Sequence, residues 1–133
     1  MIVADTNLIA YLMIPGRQTP PARTVLRKDN SWVAPMLWRS EFRNVLTLYL
    51  RQGRLGLAEA IPYMREAETS LRGGEYQVES APVLELAERS GCSAYDCEFV
   101  HLAQELAVVL VTSDKKVLHA FLRNAVSLED FIK

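Results

Sequence analysis

Two aspartates directly follow predicted buried strands and are placed to act together. Asp5 comes after the apolar run at residues 1–4, and Asp114 follows the β-branched run at residues 108–112. The carboxyl ends of parallel strands share one edge of a sheet, and ligands bind in the crevice outside that edge. We therefore expect the two carboxylates to lie near each other. Aspartate is also a favoured helix N-cap residue, so capping is an alternative role for each.

A third acid, Glu41, lies on the strongest predicted helix, residues 37–52. The positions three and four residues away on that helix are mostly apolar. They are Leu37, Trp38, Asn44 and Val45. The carboxylate of Glu41 is therefore expected to point into or beside the buried face, where it needs a cation, a hydrogen-bond donor or a shifted pKa. The alternative is a buried salt bridge to an arginine such as Arg39 or Arg43.

The fourth acid, Asp96, is predicted to face inward from a helix at residues 95–106. It aligns with an apolar stripe along that helix. The stripe consists of Phe99, Val100, Ala103 and Leu106. Glu98 and Glu105 fall on the opposite face, which we expect to be solvated. The alternative role for Asp96 is that of a first-turn acid favoured by the helix dipole.

Four acids in such positions predict a site for a hard divalent cation. Mg²⁺ and Mn²⁺ take oxygen ligands, and a cluster of carboxylates repels itself unless a cation balances it. A metal held in this way lowers the pKa of a bound water and offsets charge on a phosphoryl oxygen, which is the chemistry of phosphodiester hydrolysis. Lys115, next to Asp114, is placed to help dock a phosphate.

Composition is typical of one ordinary globular domain. The chain has 133 residues, of which half are hydrophobic, and its net charge is −1, so no overall basic field attracts nucleic acid. Cys92 and Cys97 show no metal or redox spacing and are expected to be reduced thiols. No apolar run is long enough for a membrane span, and no signal-peptide pattern precedes the first strand. We expect a single cytoplasmic domain covering residues 1–133.

Predicted strands alternate with predicted helices along the whole chain. The strands are expected at residues 1–4, 32–34, 76–78, 108–112 and 125–127, with 108–112 central. The helices are expected near 7–14, 20–29, 37–52, 57–71, 82–89, 95–106 and 115–122, followed by a turn at the C-terminus. This alternation predicts an α/β three-layer sandwich, in which a mostly parallel central sheet of about four or five strands is flanked by helices.

An ordered set of motifs resembles the PIN-domain family. The motifs are Asp5-Thr6-Asn7, Trp38-Arg39-Ser40-Glu41 with Asn44-Val45-Leu46, Tyr95-Asp96 with Leu102-Ala103, and Leu110-Val111-Thr112-Ser113-Asp114-Lys115-Lys116. Each motif alone is weak, but together they cover nearly the whole chain in the family's order. The size and the start of the chain are similar to the toxin subunit of VapBC-type toxin–antitoxin pairs.

This resemblance implies a metal-dependent endoribonuclease that cuts structured RNA. The acidic quartet would be Asp5, Glu41, Asp96 and Asp114, with Mg²⁺ or Mn²⁺ as the cofactor. Further positions would support the quartet or face the phosphate. They are Thr6, Asn7, Thr112, Ser113 and Lys115. The resemblance also implies a homodimer and a small cognate antitoxin that blocks the site. Some members of the family carry a further acid near the fourth motif, whereas here Asp114 is followed by Lys115 and Lys116. The resemblance therefore implies one metal, or a second held weakly until RNA supplies its phosphates.

Other classes of protein share some of these features. A receiver-like signalling module also gathers acids at strand ends, but it needs an adjacent acid pair after the first strand and a phosphoacceptor aspartate after a middle strand. Here Asp5 stands alone, and the strand at residues 32–34 leads to Pro35. A PIN-like scaffold that binds RNA or protein without cleavage is a further alternative. So is a phosphatase or DNA nuclease that uses the same metal chemistry.

Overall fold

The computed structural model describes all residues, 1–133, as five strands and eight helices. The strands are β1 (Ile2–Ala4), β2 (Trp32–Pro35), β3 (Glu75–Tyr76), β4 (Leu110–Val111) and β5 (Ala125–Val126). The helices are α1 (Thr6–Met13), α2 (Thr19–Lys28), α3 (Trp38–Arg51), α4 (Leu57–Ser70), α5 (Ser80–Ser90), α6 (Ala94–Leu106), α7 (Lys115–Ala120) and α8 (Leu128–Phe131).

The five strands form one entirely parallel sheet in the order β3-β2-β1-β4-β5. β1 is central, with Ile2 opposite Trp32 on β2 and Ala4 opposite Val111 on β4. β2 and β3 are added in turn on one side of β1, and β4 and β5 are then added on its other side. The strand order therefore reverses between β1 and β4, and an open α/β sheet binds its ligands at such a switch point.

Helices cover the sheet in two groups and complete the three-layer sandwich, which confirms the predicted fold class. α6 packs on β1 and β2 and carries α5 on its outer side, whereas α1 packs against α2, α3 and α4. On α3, Trp38, Phe42 and Leu46 repeat every four residues and form its buried face. The rings of Trp38 and Phe42 stack with their centres 6.3 Å apart. This packing fixes the rotation of α3 and hence the direction of Glu41.

Two segments differ from the prediction. The C-terminus forms helix α8 rather than a turn, because Ser127 caps it by accepting a hydrogen bond from the Asp130 N–H and Leu128 is buried in the core. The strand predicted at residues 108–112 is shorter and lies one place from the centre of the sheet. The first residues of the predicted strand instead connect it to α6, whose C-cap residue Ala107 adopts the left-handed conformation. Val109 in this connection is 37% exposed.

Cys92 and Cys97 are buried free thiols, as predicted. No helix combines the length and the apolar character that a membrane crossing requires.

Candidate functional site

Asp5 and Asp114 end neighbouring strands and begin the helices that follow. Asp5 caps α1, where its Oδ1 accepts a hydrogen bond of 2.7 Å from the Thr6 N–H. Asp114 caps α7, where its Oδ1 accepts one of 3.1 Å from the Val117 N–H. The Asp5 N–H also donates to the Val111 carbonyl of β4 at 3.2 Å. Both acids are therefore helix caps, and both lie beside the switch point of the sheet.

Glu41 is held by a hydroxyl group rather than by an arginine. The Thr6 hydroxyl of α1 donates a 2.7 Å hydrogen bond to Glu41 Oε1 on α3. The alternative of a buried salt bridge is wrong, because Glu41 takes part in no ion pair. Arg39 is occupied elsewhere, with its guanidinium 2.9 Å from Glu68 and 2.6 Å from Glu75. The carboxylate of Glu41 thus has no cationic partner within the chain.

Asp96 lies in the first turn of α6, which brings a fourth element to the site. Ser93 caps this helix and accepts a 3.0 Å hydrogen bond from the Asp96 N–H. The Asp96 side chain is half-buried, and a hydrogen bond with the Ser93 side chain acts to lower its pKa. The first-turn location and the inward direction, which the sequence left as alternatives, therefore occur together.

The four acids line one cavity of about 290 Å³, called here the carboxylate cavity. Its lining consists of Asp5, Thr6, Asn7, Glu41, Asn44, Val45, Asp96 and Asp114. β1 and its junction with α1, helix α3, helix α6 and the junction of β4 with α7 all contribute. The structure therefore brings together four carboxylates that are far apart in the sequence, and Val45 is the single apolar residue in the lining.

Crowding and burial shift the protonation of these acids. The pKa of Asp5 is raised to about 6, first by burial and then by the negative charges of Glu41 and Asp96. Hydrogen bonds from Thr112 and Thr6 act in the opposite direction. Burial likewise raises the pKa of Glu41, with added repulsion from Asp96 and Glu98. Burial and the charge of Asp114 raise the pKa of Asp96. The site therefore favours an added positive charge.

Two buried threonines orient the carboxylates. The hydroxyl of Thr112, a side chain with no solvent exposure, donates to Asp5 Oδ2 and accepts a 3.0 Å hydrogen bond from the Asp114 N–H. Thr6, which is 4% exposed, plays the same part for Glu41. A hydroxyl has one proton and two acceptor positions, so Thr112 can link two of the acids at once. Both threonines were predicted to support the quartet.

The remaining predicted positions are distributed unevenly around the cavity. Asn7 lines it, whereas Ser113 does not, and the Ser113 hydroxyl is 3.1 Å from the Tyr11 hydroxyl. Lys115 is exposed and does not line the cavity. Its neighbour Lys116 is the lysine whose charge acts on Asp96 and lowers its pKa. Lys116 is also exposed and does not line the cavity, so both lysines lie outside the carboxylate cavity.

Two side chains near the site were not predicted to belong there. Asn44 lines the carboxylate cavity, and its position three residues after Glu41 on the same face of α3 was the available signal. Glu98 was expected to be solvated, but it is half-buried, burial raises its pKa, and its charge raises that of Glu41. Glu98 lines a cavity of about 460 Å³ together with Met36 and the segment leading into α5, a tertiary arrangement that helix periodicity cannot reveal.

The donor set fits a hydrated hard cation better than a closed metal cage. No three His, Cys, Asp or Glu side chains are already arranged as a complete ligand group. Both oxygens of Asp5 and one oxygen each of Glu41 and Asp114 accept hydrogen bonds from the chain itself. Mg²⁺ commonly binds through one or two carboxylates and keeps several waters, so the residues present fit this mode of binding.

Fold and cavity together define an α/β protein whose carboxylate site lies at the switch point of a parallel sheet. Solved structures share this fold. The chain matches PAE2754 from Pyrobaculum aerophilum with a TM-score of 0.79 and 20% identity, over 98% of this chain and 85% of that one. It matches FitAcB from Neisseria gonorrhoeae with a TM-score of 0.72 and 17% identity, over 97% and 99% of the two chains.

A third match is a chain of a toxin-antitoxin complex from Klebsiella pneumoniae. Its TM-score is 0.69 at 13% identity, and the match covers 96% of this chain and 98% of that one. At such identities these likenesses establish a common fold. No protein-family model and no curated protein matches the sequence.

Proposed function

We propose that this chain is a metal-dependent endoribonuclease of the PIN-domain kind that hydrolyses phosphodiester bonds in structured RNA. The observation that carries the proposal is the convergence of Asp5, Glu41, Asp96 and Asp114 on one cavity at the switch point of the sheet. Sheet-edge crevices of this type are where parallel α/β proteins bind ligands. Acids with raised pKa values in a cleft are candidates for a functional site.

Asp5, Glu41, Asp96 and Asp114 would hold Mg²⁺ or Mn²⁺ in this proposal. A divalent cation in the cavity supplies an acidified water and an electrostatic partner for a phosphoryl oxygen. Its positive charge also offsets the burial and the repulsion that raise the pKa of Asp5 to about 6. Asp114 is followed directly by Lys115 and Lys116 rather than by a further acid, which favours a single strongly held cation.

The chain's own groups prepare the carboxylates and the substrate. Thr6 and Thr112 keep Glu41 and Asp5 in fixed directions through their hydroxyl hydrogen bonds. The amides of Asn7 and Asn44 lie in the cavity wall and offer N–H donors to a phosphate oxygen. Lys116 adds a positive charge near Asp96. Lys115 and Ser113 take part only from outside the cavity.

The biological role proposed is that of the toxin in a type II toxin–antitoxin pair. The support is the shared fold with a chain of the Klebsiella pneumoniae toxin-antitoxin complex, together with the order of the sequence motifs. A cognate antitoxin and a homodimer, both in the cytoplasm, belong to this proposal. A gene for a small DNA-binding protein next to this one, and light scattering at twice the chain mass, are the observations expected.

A non-catalytic PIN-like module that binds RNA or protein is the second candidate. The observation that favours it is that no three acidic side chains are already grouped as metal ligands. A receiver-like module is not supported, because the strand order here is 3-2-1-4-5, whereas the flavodoxin-like order that receivers use is 2-1-3-4-5.

Incubation of purified protein with bulk cellular RNA, in Mg²⁺, Mn²⁺ or EDTA, tests the nuclease proposal. We expect cleavage in either metal, none in EDTA, and none from Asp96→Asn. Asp130→Asn, which changes an exposed aspartate in α8, should cleave as the wild type does. Cleavage that persists in Asp96→Asn would point to a contaminating nuclease. An inactive wild type that still binds RNA would favour the non-catalytic module.

A further inference from the structure

A second cavity, called here the basic cavity, opens beside the carboxylates and has a volume of about 230 Å³. It is formed by the end of α1, the loop between α1 and α2, the outer part of α3 and the turn that follows α3. The side chains that characterise it are Tyr11, Arg17, Tyr49 and Arg54. Asn7 and Val45 line both cavities, so the two form one continuous groove.

The two guanidinium groups of this cavity have no ion-pair or hydrogen-bond partner within the protein. Neither Arg17 nor Arg54 takes part in any of the ion pairs, and neither side chain donates a hydrogen bond to another residue. No acidic residue lines the cavity. The positive charge here is therefore unneutralised, although the chain as a whole carries a net charge of −1.

Arg54 is held in place by its neighbours. Its guanidinium carbon lies 4.3 Å from the centre of the Tyr49 ring, and its backbone N–H donates a 2.9 Å hydrogen bond to the Tyr49 carbonyl. Gly53 has a φ of 70°, which allows the tight turn that brings Arg54 back over the ring. A guanidinium stacked on an aromatic face keeps its N–H edge free for a planar acceptor such as a phosphate.

Tyr11 connects the basic cavity to the acidic one. Its hydroxyl is 3.1 Å from the Ser113 hydroxyl, and Ser113 precedes Asp114 in the chain. The Tyr11 side chain of the basic cavity is thus hydrogen-bonded to the residue that directly precedes Asp114 of the carboxylate cavity. A ligand that lies along the groove passes from a cluster of negative charges directly to two free positive charges.

We propose that the basic cavity binds the phosphodiester backbone of a single RNA strand while a neighbouring phosphate of that strand lies in the carboxylate cavity. This inference rests on the proposed nuclease function. Arginine forks match phosphate oxygens in a bidentate way, and backbone contacts set the register of a strand without reading its sequence. The RNA strand would therefore leave the carboxylate cavity in one direction, along α3 towards Arg54.

Binding rather than cleavage tests this inference. Fluorescence anisotropy of a short labelled single-stranded RNA is measured with Asp96→Asn as the parent, in Mg²⁺ and at several salt concentrations. Arg17→Ala/Arg54→Ala in that parent should weaken binding by about tenfold or more, and should reduce the slope of log K against log salt by about 1.4, since each contact to a single strand contributes about 0.7. Single-stranded DNA of the same sequence shows whether the 2′-hydroxyl contributes.

The matched control is Arg89→Ala/Arg123→Ala in the same parent. Both of these arginines are exposed, line neither cavity and form no ion pair, so the control removes the same charge. It should leave the affinity and the salt slope unchanged. The single variant Arg17→Ala keeps the contact between Arg54 and Tyr49 and should show about half of the slope change of the double variant. Such a graded change would indicate loss of a phosphate contact rather than loss of the fold.

Equal effects of the two double variants, no effect of either, or no binding of RNA by the parent would overturn the inference. Unchanged RNA binding would leave an acidic segment of a partner protein as the ligand that the two arginines suit. Failure of this inference can be distinguished from failure of the proposed nuclease function. A wild type that cleaves RNA while the groove variant binds normally removes only the inference. A wild type that never cleaves but shows groove-dependent binding removes only the nuclease proposal.

Discussion

At the scale of single residues, Asp5 carries the largest electrostatic cost in the site. It is buried beside Glu41 and Asp96, and its pKa is raised to about 6 from an ordinary value of 3.8. At neutral pH it is ionised despite this cost. A residue that destabilises the protein while ionised is expected at a place where a ligand, rather than the fold, supplies the compensating charge.

Asp5→Asn should abolish cleavage and leave the protein folded. The amide keeps one oxygen for the Thr6 N–H but loses the negative charge that the proposed cation needs. Without metal at about pH 7.5, the variant should be more stable than the wild type, on the order of 1–3 kcal/mol, since the cost of burying the charge and the repulsion with Glu41 and Asp96 are removed. Urea unfolding in EDTA measures this, with Asp130→Asn as the control. A destabilised or unfolded variant would show that Asp5 serves the fold.

The pH dependence of stability follows from the same shift. Between the unfolded pKa of 3.8 and the folded value of about 6, the folded protein binds more protons at Asp5 than the unfolded chain does. The contribution of Asp5 to stability is therefore fully present below pH 3.8 and is lost as pH rises to about 6. The melting temperature of the metal-free wild type, relative to that of Asp5→Asn, should fall across this interval. A constant difference would contradict the raised pKa.

At the scale of elements, the site depends on the ends of β1 and β4 remaining together. Thr112 makes this connection, because its hydroxyl donates to Asp5 at the end of β1 and accepts from the Asp114 N–H at the start of α7. The side chain has no solvent exposure, so water cannot replace a lost hydrogen bond there.

Thr112→Val should lower the free energy of unfolding by about 1–3 kcal/mol, because it leaves a buried N–H group and a buried carboxylate oxygen without their partner. It should also slow cleavage. Thr47→Val is the control, since the Thr47 hydroxyl bonds only to the Arg43 carbonyl of its own helix. Urea unfolding and RNA cleavage rates measure both effects. Equal stability of the two variants would show that the Thr112 hydroxyl does not couple the strands.

Helices with clear end signals and a regular apolar repeat could be predicted from the sequence. Elements that depend on contacts between distant residues could not. α3 ends before Gly53, and its apolar repeat of Trp38, Phe42 and Leu46 identifies its buried face. α8 was missed because its stability comes from burying Leu128 and from a contact between Lys28 and Phe131, on elements far apart in the chain.

The candidate site was predictable to the same extent. Asp5 and Asp114 could be placed because parallel strands end at one edge, and this rule needs no side-chain detail. Glu98 was assigned to the solvated face of α6 because helix periodicity describes one helix alone. The cavity that Glu98 lines together with Met36 and the segment before α5 depends on tertiary packing.

At the scale of the whole molecule, the fold places a strongly negative cavity in a chain of net charge −1. Binding of Mg²⁺ only to the folded state should therefore raise the free energy of unfolding by about 2.7 kcal/mol at a hundredfold excess over Kd, and with it the melting temperature. The increase should be larger at about pH 7.5 than at about pH 5, where Asp5 is largely protonated. Differential scanning calorimetry measures it. An increase independent of pH would place the cation elsewhere.

The most direct test of the central claim is a titration of the protein with Mn²⁺, followed by electron paramagnetic resonance of the free ion. We expect saturable binding by the wild type, binding of the same strength by Asp130→Asn, and a loss of about tenfold or more in affinity for Asp96→Asn, because a metal ligand is removed. Binding that is absent from the wild type, or that Asp96→Asn leaves unchanged, would contradict the assignment of the carboxylate cavity as a metal site.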